Sequence, residues 1–181
     1  MTLRRKLIRA AVVATLKEDA ALQARGVSHF VARYSPIPTR KLPSVSVYTN
    51  SDSVDEKSWE TAPRKYERDL NVQIEVSVMG EEVADLLDDI CEDVEQAMGR
   101  DTQLKSTCYS CNLSGTNINF SDDGEKKIST AILSYSAEYE TEQSVPVAEA
   151  DDLDTITASY RLSQEQQNED LAEDLIDVSN P

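Results

Sequence analysis

The chain has 181 residues, with 34 acidic and 18 basic side chains, a net charge of −16 and a mean hydropathy of −0.49. That length buries a core for one domain plus an extension, and the acidic balance disfavours general affinity for nucleic acid, because phosphate binding requires basic surface. The charge is uneven, with a net +6 over residues 1–40 and −10 over residues 41–99. We therefore expect the basic and acidic segments to attract each other, within one chain or between chains.

The compartment is constrained by the cysteines and by the N-terminus. Three cysteines are an odd number without the spacing of a disulfide framework, which favours a reducing compartment. Basic residues precede an N-terminal apolar run, as in a signal peptide, but Arg9 interrupts the run and no small-residue cleavage site follows it. No segment approaches the ~20 apolar residues that a membrane span needs. We expect a soluble, cytosolic protein without a membrane partner.

The first predicted element is an amphipathic helix over residues 2–24, followed by Gly26 where the helix should end. Its apolar residues recur at helical spacing and form one stripe: Leu7, Ile8, Ala11, Val12 and Leu16. Two short strand candidates follow over residues 28–34 and 44–48. The three prolines between them are expected to prevent a regular ladder of hydrogen bonds joining the two strands.

Residues 49–68 are polar and predict a loop too long for a hairpin turn. Loops of this length in a compact domain are usually functional or disordered. Trp59 and Tyr66 are its aromatic residues. Exposed aromatic residues on polar loops either anchor a partner or fold back onto their own domain, and both alternatives stay open from the sequence.

The clearest pattern is a strand followed at once by a helix. Apolar and polar residues alternate from Leu70 to Val78, as in a strand with one buried face. After Gly80 the apolar residues recur at three- and four-residue spacing up to Met98, and Gly99 stands where a C-terminal cap belongs. This unit predicts one layer of helix packed on one layer of sheet, an α+β fold.

Two longer strands are predicted over residues 113–121 and 127–141, joined by a segment whose Asp-Gly pair signals a hairpin. The second strand is apolar on both faces of its first half, because Ile128 and Ile132 lie opposite the regularly alternating apolar set. A strand of this kind is covered on both sides, so we expect the first helix or a neighbouring subunit to lie over the second face.

The composition changes at residue 143, which divides a domain over residues 1–142 from an acidic extension over residues 143–181. A strand is predicted over residues 155–162 and a short acidic helix over residues 164–178. These elements would be marginal in isolation. The extension is therefore expected to be disordered or docked on a partner.

No arrangement typical of an enzyme occurs in the sequence. Cys108 and Cys111 have C-x-x-C spacing, but a structural zinc needs four ligands and His29, the only histidine, is remote and more typical of a structural residue. No phosphate-binding glycine loop, G-x-S-x-G or H-E-x-x-H motif is found. A solvated surface, rather than a divalent-cation site, is the prediction for the acidic helix face formed by Asp85, Asp88, Asp89 and Glu92. We expect no catalytic residue, metal or cofactor.

The order of the elements is itself informative. It combines a basic first helix, a long polar loop, the strand R-x-L-x-V-x-I-E-V-x-V over residues 68–78, the helix V-x-x-L-L-x-x-I-x-x-x-V-x-x-A-M and the closing pair NINFSDDGEKKISTAILSYSAEYET. Over residues 1–142 this layout resembles the tail terminator, or tail completion, proteins of long-tailed bacteriophages. The acidic extension and the stretch from Cys108 to Cys111 depart from the family pattern.

The resemblance implies a structural virion protein with a curved, mainly antiparallel or mixed sheet flanked by two helices. Such proteins assemble as a hexameric ring on the last ring of the tail tube, stop its polymerisation and join the head-side connector. The implied partners are further copies of the chain, the tail tube protein and the head–tail connector protein, while DNA passes through the ring without specific binding. The implied location is the tail or neck of the virion, assembled in the bacterial host cytoplasm.

Two sets of residues are assigned to this assembly. Pairs between the two helices, together with the second apolar face of the last strand, are expected at the subunit interface: Arg4, Arg5, Arg9, Asp85, Asp89, Glu92, Ile128 and Ile132. The long loop is expected to face the tube or a neighbour through four residues: Trp59, Arg64, Lys65 and Tyr66.

Two other functions remain open. A head–tail connector or neck stopper protein of the same virion region would share the ring and the charge, and differs in binding portal-side rings instead of the tail tube. An acidic DNA-mimic regulator would occupy a basic groove. A mimic needs acidic residues spaced like phosphates along one surface, whereas here they are grouped in one helix and one tail.

Overall fold

A computed structural model describes residues 3–33, 35–55, 65–80, 83–123, 126–142, 155–159 and 173–177. The chain divides into two units, residues 1–143 and residues 144–181, and each is described by itself. Within the described residues, no helix is both long enough and apolar enough to cross a membrane.

The first unit is an open five-stranded sheet with three helices, which confirms the α+β prediction. Its elements are α1 Arg4–Glu18, α2 Ala20–Ala24, β1 Ser28–Val31, a 3-10 helix Thr39–Lys41, β2 Ser44–Val54, β3 Lys65–Met79, α3 Val83–Gly99, β4 Ser110–Asp123 and β5 Lys126–Glu142. The strand order is β1-β2-β3-β5-β4, with β1 parallel to β2 and the other pairs antiparallel. The sheet is therefore mixed, and β1 and β4 are its edges.

The single N-terminal helix predicted over residues 2–24 is interrupted at Asp19. Asp19 has extended backbone angles, and its carboxylate accepts hydrogen bonds from the N–H groups of Ala21 at 2.9 Å and Leu22 at 3.0 Å. An aspartate in this arrangement is a favourable N-cap, so it starts α2 as a separate helix. The stripe is confirmed at Ile8, Val12 and Leu16, but Leu7 is 37% exposed.

The predicted absence of a ladder between the first two strands is wrong. β1 and β2 pair in parallel, with Ser28 opposite Ser44 and Val31 opposite Val47. The prolines lie in the connection between the strands, so they remove no hydrogen bond from the ladder itself.

The loop predicted over residues 49–68 is also too long. Residues 49–54 complete β2 and residues 65–68 begin β3, and these two segments pair in antiparallel register on either side of the connection. A bulge between Thr49 and Ser51 shifts the register by one residue, and residues 49–53 are all polar, so this part of β2 has no apolar alternation that would identify it as a strand. Residues 56–64 lie outside the described residues.

One hydrophobic core lies between the helices and one face of the sheet. The predicted buried faces of β3 and α3 are confirmed, since alternate residues from Leu70 to Val78 and the α3 stripe around Leu87, Ile90 and Val94 are at most 1% exposed. α1 packs on β2 and on α3, while α3 packs on β3 and β5. Gly99 is the last residue of α3 instead of the residue after it.

The closing hairpin is confirmed, with Asp123 opposite Lys126. On β5 the alternating apolar set is buried against the helices: Ala131, Leu133, Tyr135, Ala137 and Tyr139. Ile128 and Ile132 have the opposite parity and are half-buried. Because α1 and α3 share the core on the other face, neither helix covers these two isoleucines.

The second unit contains two described strands, β6 Thr155–Ser159 and β7 Glu173–Asp177, which pair in antiparallel register. The strand prediction over residues 155–162 agrees with β6. The helix prediction over residues 164–178 is wrong for residues 173–177, because their backbone pairs with β6. Helix propensity is a weak signal that such pairing overrides.

Candidate interaction surfaces

A buried carboxylate joins the first helix to three strands. The side chain of Asp52, on β2, is only 7% exposed. Its Oδ2 atom accepts hydrogen bonds from Arg68 Nη1 at 3.0 Å and from Tyr139 Oη at 2.9 Å, and lies 3.5 Å from Arg5 Nε. We name this set of four residues the Asp52 junction. It links α1, β2, β3 and β5 at the end of the sheet where the hydrophobic core stops.

Arg68 makes further contacts, and the hydroxyl of Tyr139 stays protonated. Arg68 Nε donates a hydrogen bond to Thr141 Oγ1 at 2.9 Å, and its guanidinium lies 6.0 Å from the centre of the Tyr66 ring. Burial and the hydrogen bond to Asp52 raise the pKa of Tyr139 to about 12, so its hydroxyl stays protonated and donates. Asp52 Oδ1 is buried without a described hydrogen-bond partner. In the junction, Asp52 Oδ2 accepts from Arg68 and Tyr139, whereas Oδ1 has no described donor.

Two clefts flank the Asp52 junction. One, of about 240 Å³, is basic because Arg5, Lys6 and Arg9 line it beside Asp52. The other, of about 410 Å³, is mainly acidic because Asp55, Glu67, Asp69 and Glu138 line it against the single cation of Arg68. Neither cleft holds a nucleophile with an adjacent base, and no three metal-ligating side chains cluster among the described residues. The surfaces are suited to binding charged partners.

Helix α3 presents an acidic surface. Two of its six carboxylates share one cation, Arg25, whose guanidinium lies 3.0 Å from Asp89 and 2.6 Å from Asp93. The remaining four are exposed and have no ion pair within the described part of the chain: Asp85, Asp88, Glu92 and Glu95. Four uncompensated negative charges on one helix create a local field that repels other anions.

A second contact fixes the junction between α1 and α2. Asp19 is buried, and Arg100 Nη1 donates to its Oδ2 at 2.6 Å. Burial raises the pKa of Asp19, but the hydrogen bonds from Leu22 N–H and Arg100 outweigh this effect and hold the pKa below its usual value. The charged carboxylate therefore stabilises the folded state.

The two edges of the sheet differ in cover. β1 pairs with only the first part of β2, whose residues beyond Val47 have no described strand on that side, and α1 lies along this edge. At the other edge, every residue of β4 from Asn112 to Asn119 is exposed. Its exposed apolar residues are Leu113 and Ile118. The sheet thus ends in one helix-covered edge and one bare edge.

Comparison with known proteins identifies the family. Residues 3–139 match the family model of phage minor tail protein U. The chain belongs to this family. A solved structure described as the virion of a native gene transfer agent particle is similar at 16% identity, over 78% of this chain and 100% of that chain, with a TM-score of 0.46. A comparison with curated proteins finds no match.

The predicted resemblance to a tail protein family of bacteriophages is confirmed. The tail protein is a structural component of the phage tail and is located in the virion, where its partners are other tail or virion proteins.

The predicted interface residues mostly have partners inside their own chain. Arg5 pairs with Asp52, Arg9 Nη1 donates to Thr49 Oγ1 at 3.2 Å, and Asp89 pairs with Arg25. Glu92 accepts a hydrogen bond from Gln96 at 3.1 Å. Within the described residues, Arg4 and Asp85 have no ion pair. The structure therefore leaves Arg4, Asp85 and Glu92 as the charged members most available to a neighbour.

The predicted loop residues divide between two regions. Trp59 and Arg64 lie outside the described residues. Lys65 and Tyr66 belong to β3 and not to the loop, and Lys65 Nζ lies 3.1 Å from Glu140 and 3.8 Å from Glu142. The strand continues to Lys65 because residues 65–69 pair with the far end of β5.

The cysteines and the histidine of the tail protein are buried or half-buried. All three cysteines are free thiols, and burial raises the pKa of Cys91 to about 11 and that of Cys111 to about 12. Burial also raises the pKa of Cys108. The pKa of His29 is lowered by burial and by the nearby charge of Lys17, which keeps the ring neutral.

Proposed function

We propose that the tail protein is a tail terminator. It forms a hexameric ring on the last ring of the tail tube, stops tube polymerisation and provides the joining surface for the head-side connector. The observation that carries the proposal is an open sheet with two different edges, neither paired by a strand of the described residues, in a protein of the phage tail. A subunit with two different binding edges associates head to tail, and such contacts form a ring when the rotation closes.

The charge distribution supports a channel for DNA. The chain carries a net charge of −16, and four exposed carboxylates of α3 lack an ion pair within the described residues. Acidic surface repels phosphates, so a ring lined by α3 lets DNA pass without specific binding. A connector or neck stopper of the same virion region fits this charge equally well, so the choice between them depends on which ring the protein binds.

The proposed contacts with neighbours use charged side chains without an ion pair within the described residues, apolar side chains that no described helix covers, and the region around the first residues of β3. Arg4 of one subunit is proposed to pair with Asp85 or Glu92 of another. Ile128 and Ile132 lie half-buried on the sheet face that no described helix covers, which supports a contact with another subunit or with the tube. The segment that contains Trp59 and Arg64, together with the end of β3 at Lys65 and Tyr66, is proposed to face the tube or the next subunit.

The decisive experiment is a tube-capping assay. The purified tail tube protein is polymerised with and without this protein, and tube lengths and ends are recorded by negative-stain electron microscopy. A terminator shortens the tubes in proportion to its concentration and adds one ring at one end. Light scattering is expected to give an assembled mass of about six times the 20.1 kDa chain.

Each alternative function predicts a different result. Tubes of unchanged length without ring density refute the terminator proposal. Binding to portal-side rings, without binding to the tube, identifies a connector or stopper protein. Competition with DNA for a basic nuclease or repressor would support the DNA mimic, a function that membership in a tail protein family disfavours.

A further inference from the structure

The exposed large apolar side chains of the first unit lie at the two edges of the sheet. One group is on α1, just before it and on β1, and the other is on β4 and just before it. The six residues are Leu3, Leu7 and Val31, then Tyr109, Leu113 and Ile118, and they are 37–60% exposed. Scattered exposed apolar residues need no explanation, but two groups at opposite edges indicate two contact surfaces.

On β4, two apolar side chains face the same side of the sheet as the hydrophobic core but remain exposed. Leu113 pairs with Tyr135 and Ile118 pairs with Ala131, and both β5 residues are buried under the helices. Paired residues project from the same face of a sheet, so Leu113 and Ile118 point to the helix side. They are nevertheless 42% and 41% exposed, because α3 packs mainly over β3 and β5. Within the described residues, α3 therefore leaves most of β4 uncovered.

The main chain of β4 is also available for pairing. Its outer edge has no partner strand within the described residues, and residues 110–121 contain no charged residue and no proline. Edge strands that must stay unpaired usually carry such residues. A single bulge, between Leu113 and Gly115, is the one protective feature present. An uncharged edge of this length is suited to accept another chain.

The opposite edge carries a complementary charge. Residues 3–43, which contain α1 and β1, carry nine basic and two acidic side chains, a net +7. Residues 110–142, which form β4 and β5, carry two basic and six acidic side chains, a net −4. Arg4 and Lys6 flank the exposed Leu3 and Leu7 and have no ion pair within the described residues. The basic N-terminal segment is therefore attracted to the acidic pair of strands β4 and β5, whereas two basic segments repel each other.

We propose that α1 and the β1 edge of one copy of this chain pack on β4 of the next copy. Leu3 and Leu7 cover Leu113 and Ile118, and the incoming helix supplies the cover that the described residues of its own chain do not give β4. Because the two surfaces differ, each subunit has one of each and the contact propagates head to tail. This inference rests on the proposed ring and names the surfaces that build it.

The first test is cross-linking between introduced cysteines. Ala10→Cys places a thiol on the exposed side of α1, and Thr116→Cys places one between Leu113 and Ile118 on β4. A short bismaleimide is added to the full-length protein, with the tail tube protein present. The three native cysteines are buried, so the wild-type chain is the background control.

The cross-linking pattern reports which surfaces meet. The double variant is expected to give a ladder that ends at six chains, and a mixture of the two single variants is expected to give dimers only. Dimers from Thr116→Cys alone would show that two β4 edges meet about a twofold axis, which overturns the proposal. A hexamer that forms no ladder overturns it as well.

The second test blocks the surface by charge. Ile118→Lys places a lysine on the bare edge, and its matched control Glu67→Gln changes the net charge by the same amount at an exposed position of β3, the central strand of the sheet. Ile118→Lys is expected to weaken subunit association by about 30-fold or more, as for loss of a central interface residue, while circular dichroism and urea unfolding remain as in the wild type.

The outcomes separate the interface from the function. If Ile118→Lys still forms rings on the tube at wild-type concentrations, the edge proposal is wrong and the terminator proposal stands. If the wild-type protein forms no ring even on the tube, the proposed function fails, and the edge proposal fails with it.

Discussion

Replacing Asp52 by alanine tests whether the Asp52 junction holds the end of the sheet together. The substitution removes the acceptor of the hydrogen bonds from Arg68 and Tyr139 and the ion pair with Arg5. Hydrogen bonds to a charged group contribute about 1.5–3 kcal/mol each. The pair with Arg5 adds little, because that side chain is 47% exposed and screened by solvent.

The net effect is smaller than the sum of these contacts. Asp52 Oδ1 is buried without a described partner, and removing such an atom relieves a penalty of about 1–3 kcal/mol. We therefore expect Asp52→Ala to lower the free energy of unfolding by about 3 kcal/mol, which corresponds to a fall in Tm of roughly 10 °C for a unit of this size. Tyr139→Phe, which removes one of the two donors to this charged group, is expected to cost about 1.5–3 kcal/mol.

The assay is urea unfolding followed by far-UV circular dichroism, with Glu67→Ala as the matched control. Glu67 is an exposed carboxylate on the same strand as Arg68, so its removal changes the net charge equally and should alter stability by less than about 0.5 kcal/mol. A double-mutant cycle between Asp52→Ala and Tyr139→Phe isolates the hydrogen bond between them. The reasoning is refuted if Asp52→Ala is no more destabilising than Glu67→Ala.

Three further predictions concern the first unit. Asp19→Ala should cost about 1 kcal/mol through loss of the α2 cap. Because the folded pKa of Asp19 is lowered, the stability that this group contributes is present above the unfolded value of about 3.9 and is lost as the pH falls through the lower folded pKa. Urea unfolding at several pH values should show this pH dependence in the wild type and not in the variant. Leu87→Ala, at a fully buried position, should cost about 2–5 kcal/mol in urea unfolding, and a loss below 1 kcal/mol would contradict the described core. Ellman's reagent at pH 8 should label none of the three thiols rapidly in the folded protein and all three in urea; fast labelling of Cys111 would contradict its burial.

The parts of the fold that could be predicted are those where one local period dominates. The alternation from Leu70 to Val78 and the helical spacing from Val83 to Met98 each continue for several repeats, so one buried face is unambiguous. The Asp-Gly pair in the sequence predicted a hairpin by the same kind of local chemistry, and β4 and β5 do pair as one. The match to a phage tail family followed from the order of these elements along the chain.

The errors arose where distant parts of the chain decide the structure. β2 extends to Val54 because β3 pairs with it, although its second half is polar and bulged. The Asp52 junction joins residues 5, 52, 68 and 139, and no local pattern connects them; an acidic residue in a polar stretch is indistinguishable from a solvated one. The helix break at Asp19 has a local cause, because an aspartate directly before a helical segment is a recognisable N-cap signal.

The strength of the proposed edge contact determines when the ring assembles. Fully burying a large apolar side chain contributes about 1.5–3 kcal/mol, so six side chains that are roughly half exposed contribute about 6 kcal/mol together. Association itself costs an estimated 4–15 kcal/mol. The apolar contacts therefore roughly cancel this cost, and the attraction between the basic N-terminal segment and the acidic pair of strands β4 and β5 decides the balance. At 0.1 M salt, that attraction is screened over distances longer than about 10 Å. The isolated protein should therefore assemble better at low salt. At physiological salt it should form rings mainly where the tube already holds neighbours side by side. A ring that is stable in 1 M salt without the tube would contradict this estimate and indicate a larger apolar interface than the two edges provide.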